Sequence, residues 1–133
     1  MTIVGLDVTQ ETIATSEFFD ELRSNAGEAG QLICEMIRCY LDFHERITGK
    51  YECPVHDSSA VALLIEPNLF DTRNGVVRVV TEGIAMGQTI LAPVDATYES
   101  TEWRNIPTVN VCTGVRSAEL LNLYAETLSI AGD

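Results

Sequence analysis

The sequence predicts an α/β fold in which helices come first, a short strand-rich segment with a hairpin follows, and a helix closes the chain. Three observations support this prediction. Apolar residues recur at helical spacing in the first half of the 133 residues, β-branched residues alternate in the second half, and an amphipathic stretch begins at Ser117. With no repeat or long linker between these parts, residues 1–133 are expected to form a single domain.

The first elements predicted are a short strand and a helix. Residues Thr2–Val8 are expected to form the strand. A helix is predicted over Ser16–Arg23, with Thr15 or Ser16 as its N-cap. Residues Asn25–Gly30 are rich in glycine and alanine and are expected to break the helical region.

The clearest helix is predicted over Gln31–Thr48. One stripe of this helix is expected to pack into the core, and its members are Ile33, Ile37, Tyr40, His44 and Ile47. Gly49 is expected to end the helix in the left-handed conformation.

A second, shorter helix is predicted over Ala60–Ile65. The run has no polar face, so we expect it to be buried on most sides. Asp57 or Ser58 is expected to cap its start.

The second half of the chain is predicted to contain three strands, over Val76–Thr81, Thr89–Tyr98 and Thr108–Val115. The loop Thr81–Gly87 is expected to join the first two as a hairpin. The last helix should bury the face formed by Leu120, Leu121, Tyr124 and Leu128.

Composition narrows the range of partners. Twenty acidic and eight basic residues give a net charge of −12, which argues against nucleic acid and anionic membranes as partners. No apolar run reaches the roughly 18 residues of a membrane helix, and no basic leader opens the chain. The four cysteines (Cys34, Cys39, Cys53 and Cys112) lack paired spacing, so we expect reduced thiols and a cytoplasmic location.

The adjacent pair His56 and Asp57 is the strongest candidate for chemistry. Backbone N–H groups at a helix start are unpaired and favour negative charge, so Asp57 is suited to a cation. His56 can exchange a proton near neutral pH. An aspartate before an apolar run is also typical of a simple N-cap, and the residues alone leave both interpretations open.

Three segments resemble motifs of the inosine–uridine-preferring nucleoside hydrolases. Residues 54–61, Pro-Val-His-Asp-Ser-Ser-Ala-Val, resemble the family's Pro-x-His-Asp-x-x-Ala-Val signature. Residues 5–9, Gly-Leu-Asp-Val-Thr, resemble an upstream strand end, and residues 79–89 resemble a downstream hairpin. The motifs occur in the family's order, and the resemblance spans about Ile3 to Ile130.

The resemblance implies the C-terminal part of a nucleoside-hydrolase-like fold. Members of the family hydrolyse the N-glycosidic bond of ribonucleosides and use a calcium ion that binds the ribose hydroxyls and a water. By position, His56 resembles the histidine that protonates the leaving base, and Asp57 resembles a calcium ligand. Tyr40 and His44 lie on a helix that sends aromatic side chains towards the base in the family, although their spacing alone favours core packing.

The sequence departs from the family in one respect. The Asp-x-Asp-x-Gly-x-Asp-Asp run that supplies the catalytic base and most calcium carboxylates is not among the 133 residues. Calcium takes roughly six to eight oxygens, which Asp57 alone cannot provide. We therefore expect a truncated nucleoside hydrolase that is inactive alone and binds no calcium alone. Half of a split enzyme completed by another chain, or a non-catalytic self-associating or partner-binding module, is the alternative.

Truncation is also expected to expose apolar surface, which predicts a homodimer or higher oligomer. The helix Ile33–Ile47 or the strand Thr2–Val8 is expected to contribute to its interface.

Two weaker interpretations concern metals. Cys53 and His56 have metal-like spacing, but a zinc site would need a further ligand such as Cys34, Cys39 or His44. The strand before Asp7 resembles the first strand of ribonuclease H-like nucleases and actin-like ATPases, without their glycine-rich turn.

Overall fold

The computed structural model describes residues 1–97 and 100–131, with the side chain of Ala131 left out. Over these residues helices and strands are interspersed, with the longest helix in the first half of the chain and the longest strands in the second. The elements are β1 (Thr2–Ile3), α1 (Leu6–Thr9), β2 (Ile13–Thr15), α2 (Ser16–Asn25), α3 (Gly27–Thr48), β3 (Glu52–Pro54), α4 (His56–Ile65), β4 (Phe70–Val79), β5 (Thr89–Pro93), β6 (Val109–Val115) and α5 (Ser117–Ala131).

The larger sheet has the strand order β1-β6-β4-β5. β1 runs parallel to β6, whereas β4 is antiparallel to both β6 and β5. The pairing of Val79 with Thr89 and of Gly75 with Pro93 confirms the predicted hairpin. β4 begins six residues before the predicted start. The prediction missed the first half of the strand because Asp71–Asn74 are polar and exposed and break the apolar alternation. The predicted strand Thr89–Tyr98 was wrong beyond Pro93, where the chain turns, and Tyr98 lies outside the described residues.

The prediction of a strand over Thr2–Val8 was wrong beyond Ile3. The carbonyl of Gly5 accepts hydrogen bonds from the backbone N–H groups of Val8 and Thr9, each at 3.1 Å, and these bonds close a helical turn. Leu6 consequently faces solvent, while Val8 is buried. The chain then forms β2, which pairs antiparallel with β3 in a second, two-stranded sheet that the sequence did not predict.

Helices α2 and α3 form close to where the sequence predicts them. The Thr15 hydroxyl accepts a hydrogen bond from the backbone N–H of Phe18 at 3.4 Å, which confirms Thr15 as the N-cap of α2. α3 begins at Gly27, four residues earlier than predicted, because Gly27 turns the chain with φ at 53°. Gly49, with φ at 77°, ends the helix as predicted.

The buried face of α3 is rotated away from the predicted stripe. Cys34 and Leu41 are its buried large side chains, and they pack with Phe19 and Leu22 of α2. Ile33, Ile37 and Tyr40 of the predicted stripe are half-buried and pack against this cluster, whereas Ile47 is 65% exposed, so the prediction was wrong for Ile47. The same three half-buried residues also border open space.

Helix α4 differs most from its prediction. It begins at His56, its N-cap position is Val55, and no side chain makes a capping hydrogen bond, so the expected caps Asp57 and Ser58 were wrong. The helix is not buried on most sides. Ser59 and Ala62 face the interior, whereas Leu64 is 83% exposed and its neighbours Val61 and Ile65 are also exposed.

The core consists of two clusters that meet at Val55. The first lies among α2, α3 and the small sheet and includes Cys34 and Cys53. The second joins α1, α4, the large sheet and α5 around Leu120, and includes Cys112. All four cysteines are free thiols, and Cys39 is exposed. No helix in the described ranges is long and apolar enough to cross a membrane.

Candidate active site

The candidate site forms where β3 passes into α4. The small sheet fixes this point because the backbone N–H of Val55 donates to the carbonyl of Thr12 at 3.0 Å. Ser59, fully buried in the first turns of α4, donates its hydroxyl to the Val55 carbonyl at 2.8 Å. These bonds fix the positions of His56 and Asp57, the first two residues of α4, at the site.

A buried threonine holds the His56 ring. Nδ1 of His56 lies 2.7 Å from the hydroxyl of Thr9, the last residue of α1, which is 6% exposed. The same hydroxyl donates to the Leu6 carbonyl at 3.3 Å. His56 is half-buried and Asp57 is exposed, so the pair lies at the border between core and solvent.

His56 and Asp57 border an open cavity of about 580 Å3. Its walls come from α3, from the β3–α4 junction and from α5. The lining residues are Ile33, Met36, Ile37, Tyr40, Pro54, Val55, His56, Asp57, Ser58 and Tyr124. The cavity thus combines an apolar and aromatic wall with one histidine and one carboxylate, the kind of surface that suits a flat, partly polar ligand.

The structure separates the two candidate binding residues of α3. Tyr40 lines the cavity with His56, whereas His44 lines a different cavity with Gln10 and Glu52. The rings of Tyr40 and His44 meet edge to face, with centroids 4.6 Å apart. The pKa of the Tyr40 phenol is raised above its ordinary value, first by burial and then by the nearby Cys53 and Asp57. Tyr40 therefore offers the cavity a neutral ring and hydroxyl at neutral pH.

The described residues do not fit a metal ion. Within residues 1–97 and 100–131, no three His, Cys, Asp or Glu side chains lie close enough together to hold one. Asp57 is the single carboxylate that lines the cavity, far short of the oxygen set that calcium takes.

The two weaker metal interpretations also lose support. Burial raises the pKa of the Cys53 thiol to about 11 and so disfavours the thiolate, which is the form that zinc binds. Asp7 lies within α1 and not at the end of a strand, unlike a nuclease metal ligand.

Sequence reasoning missed two residues of the site. Tyr124 was assigned only to the core face of α5, yet it also lines the cavity. Thr9 belonged to a recognised motif, but no spacing rule links it to His56, which is 47 residues away. The order of the motifs along the chain was the only signal for that contact.

The sequence model of the inosine-uridine preferring nucleoside hydrolases matches residues 1–122. The chain belongs to this nucleoside hydrolase family. A probable uridine nucleosidase 2 from Arabidopsis thaliana is 33% identical over 129 residues, which are 94% of this chain and 39% of the relative. A pyrimidine-specific ribonucleoside hydrolase from Photobacterium profundum is 29% identical over 131 residues, which are 97% of this chain and 40% of the relative.

Solved nucleoside hydrolases share the fold. A plant nucleoside hydrolase superposes with a TM-score of 0.88 at 23% identity, over 96% of this chain and 41% of that one. A purine-preferring ribonucleoside hydrolase from Gardnerella vaginalis superposes with a TM-score of 0.79 at 27% identity, over 98% of this chain and 40% of that one. These matches confirm the predicted C-terminal part of a nucleoside-hydrolase-like fold. The chain spans about two fifths of the length of these relatives.

Proposed function

We propose that this chain supplies the leaving-base side of a nucleoside hydrolase site, and that the 133 residues alone release no base. One observation carries both halves of the proposal: the cavity holds a histidine, two tyrosines and a single carboxylate. Because the relatives are named as uridine nucleosidases and ribonucleoside hydrolases, the proposed ligand is a ribonucleoside.

His56 is the proposed general acid. When the bond from the ribose carbon to the base nitrogen breaks, its electron pair stays on the base, and a proton from His56 neutralises the departing group. Such proton transfer contributes about 10²–10⁴-fold to a rate. Tyr40 and Tyr124 line the same cavity and can contact the faces of a planar base.

The described chain lacks the residues for the other half of the reaction, the attack on the ribose carbon. Glycoside hydrolysis ordinarily uses two carboxyl groups, one beside the leaving group and one that activates water or attacks directly. The cavity contains Asp57 and no second carboxylate. Hydrolysis therefore requires acidic groups from outside these 133 residues, supplied in the same protein or by another chain.

A base-release assay tests the isolated chain. With uridine or inosine and millimolar calcium, we expect no release above that of His56→Ala, and no difference in melting temperature between calcium and a chelator. Bound calcium would raise the melting temperature in proportion to the logarithm of its concentration. Release that disappears in His56→Ala would contradict the proposed inactivity.

A fusion tests the role of His56. The preceding part of the Arabidopsis relative, joined to residues 1–133, should supply the missing carboxylates and release uracil. His56→Ala should lower its turnover at least 100-fold, whereas His44→Ala, the matched change at the other histidine, should have little effect. His56→Ala should leave the hydrolysis rate of a nitrophenyl riboside nearly unchanged, because the nitrophenolate leaves without needing a proton. Equal loss on both substrates would contradict general-acid catalysis.

A non-catalytic self-associating module is the second candidate, and the exposed apolar side of α4 favours it. Val61 and Ile65 form an apolar groove with Leu123 and Leu128 of α5. Exposed apolar surface of this kind is typical of a protein contact. Loss of base release in every fusion, together with self-association of the isolated chain, would favour this candidate.

A further inference from the structure

The Thr9 hydroxyl makes two contacts with one hydrogen. It lies 2.7 Å from Nδ1 of His56 and 3.3 Å from the carbonyl oxygen of Leu6. A carbonyl only accepts, so the bond to Leu6 uses the hydroxyl hydrogen. Both contacts are then hydrogen bonds only if the hydrogen of the second bond sits on Nδ1. The 2.7 Å separation lies within the ordinary range for N–H···O bonds.

We infer that Thr9 is a positioning residue for His56. Its hydroxyl keeps a hydrogen on Nδ1 of the imidazole and leaves Nε2 as the nitrogen that exchanges protons in the cavity. Its catalytic consequence rests on the proposed function. Within the described residues, Nε2 makes no hydrogen bond to protein, whereas Nδ1 is engaged by a nearly buried hydroxyl.

The position of Thr9 is itself fixed by the backbone. The carbonyl of Gly5 accepts from the Thr9 N–H at 3.1 Å, and the carbonyl of Leu6 also accepts from the Gln10 N–H at 3.0 Å. α1 packs against α4 and β6, and Val8, next to Thr9, is buried in the second core cluster. Thr9 is therefore held by a turn that cannot easily follow a rotating imidazole.

This arrangement favours proton transfer from Nε2 to the departing base. Protonated His56 carries hydrogens on both nitrogens, and the departing base takes the one on Nε2. The ring that remains is neutral and keeps its hydrogen on Nδ1, the form that Thr9 stabilises by accepting from it. If Thr9 instead donated to Nδ1 of the neutral ring, the favoured neutral form would carry its hydrogen on Nε2. Loss of the Nε2 proton from protonated His56 would then leave the less stable tautomer, and Nε2 would be a weaker acid.

Nitrogen-15 NMR of the isolated chain tests the inference without any turnover. Long-range proton–nitrogen correlations recorded at about pH 8.5 distinguish the two tautomers of a neutral imidazole. His56 should show a protonated Nδ1 and a bare Nε2. Thr9→Val, which keeps the shape and removes the acceptor, should move His56 towards the opposite tautomer. Thr9→Ser should retain the wild-type state.

His44 is the internal control, since it is the other histidine and does not contact Thr9; its tautomer should be the same in all three proteins. A wild-type His56 protonated on Nε2 would overturn the inference without any variant, even if Thr9→Val failed to fold. An unchanged tautomer in folded Thr9→Val would overturn it too. Neither result bears on base release by the fusion, so the two proposals fail separately.

Discussion

Asp57 contributes a negative charge to the candidate site, beside the first turn of α4. The carboxylate makes no capping hydrogen bond, and the residue is exposed. Its remaining interaction with the helix is that of a negative charge with the partial positive charge of the unpaired N–H groups. The effect of Asp57 on stability should therefore depend on its charge and not on its ability to accept a capping bond.

Asp57→Asn separates these two roles. Asparagine caps helices as well as aspartate does, so a capping role would leave the free energy of unfolding unchanged. We expect a loss of about 0.3–1 kcal/mol in urea denaturation at low salt. Roughly 1 M salt should reduce this loss, because it screens exposed charges. Glu35→Gln, an exposed charge in the middle of α3, is the control and should have a smaller effect. A loss independent of salt would contradict the explanation.

The thiol of Cys53 gives a prediction about pH. Burial raises its pKa from 9.0 to about 11, so the folded state favours the protonated thiol. The stability this contributes is fully present below pH 9.0 and is lost as the pH rises towards 11, because the unfolded chain releases the proton first. Urea denaturation should show a steeper loss of stability over this range in wild type than in Cys53→Ala. Equal slopes would contradict the burial argument.

At the scale of elements, the close contact between α2 and α3 depends on Gly30. A Cβ atom at this position would meet the backbone carbonyl of Leu22 and lie 3.0 Å from Cβ of Ala26. Neither group can move without shifting α2. The glycine therefore permits the approach that buries Phe19, Leu22 and Cys34 in the first core cluster.

Gly30→Ala should destabilise the protein although alanine favours helices. The propensity gain is about 1 kcal/mol, whereas a clash with backbone in a packed contact costs about 1–3 kcal/mol. We expect a net loss of up to about 2 kcal/mol in thermal or urea unfolding. Gln31→Ala, at the exposed neighbouring position, should be neutral or stabilising. A Gly30→Ala variant as stable as wild type would contradict the close contact.

The elements that the sequence predicted well are those with a sustained period. α2, α3, α5 and the β4–β5 hairpin have enough residues for the helical or alternating pattern to emerge. β2 and β3 have three residues each, too few for any pattern. α4 was misjudged for a different reason: an apolar run without a polar face predicts burial, yet nothing in the described chain covers Leu64.

The same limits apply to the candidate site. Adjacency in sequence placed His56 beside Asp57, and a family resemblance pointed to Tyr40, which lies in the same cavity. The resemblance placed His44 there as well, but it borders another cavity. The contact between Thr9 and His56 depends on how α1 packs against α4, which is a tertiary property that local pattern does not encode.

At the scale of the whole molecule, the chain has more surface than its mass explains. Its accessible surface is 8822 Å2, whereas a compact monomer of 14.6 kDa has about 6,900 Å2. The excess is on the order of 1,900 Å2. A stable protein contact buries about 800 Å2 on each partner, so the excess is large enough for an interface.

The apolar part of this surface is continuous. The cavity beside His56 and the groove between α4 and α5 share Ser58 and Tyr124, so apolar surface extends from Met36 on α3 to Ile65 on α4. Met36 is 71% exposed and Ile65 is 55% exposed. Contiguous apolar surface is costly in water, and a second copy of the chain is the partner available to the purified protein.

We therefore expect the isolated chain to form a homodimer through α3, α4 and α5. Light scattering at micromolar concentration should give twice the mass of 14.6 kDa. Glutamate at both Met36 and Ile65 should yield a monomer of unchanged fold, because two desolvated charges per subunit disfavour the apolar contact. Ile84→Glu, the same change in the fully exposed loop between β4 and β5, is the control and should remain dimeric. A wild-type monomer would contradict self-association, and a dimer that survives glutamate at both positions would place the interface on another surface. Because the proposed interface covers the cavity beside His56, dimerisation and ribonucleoside binding should compete, and a fusion that completes the site should be less prone to self-association.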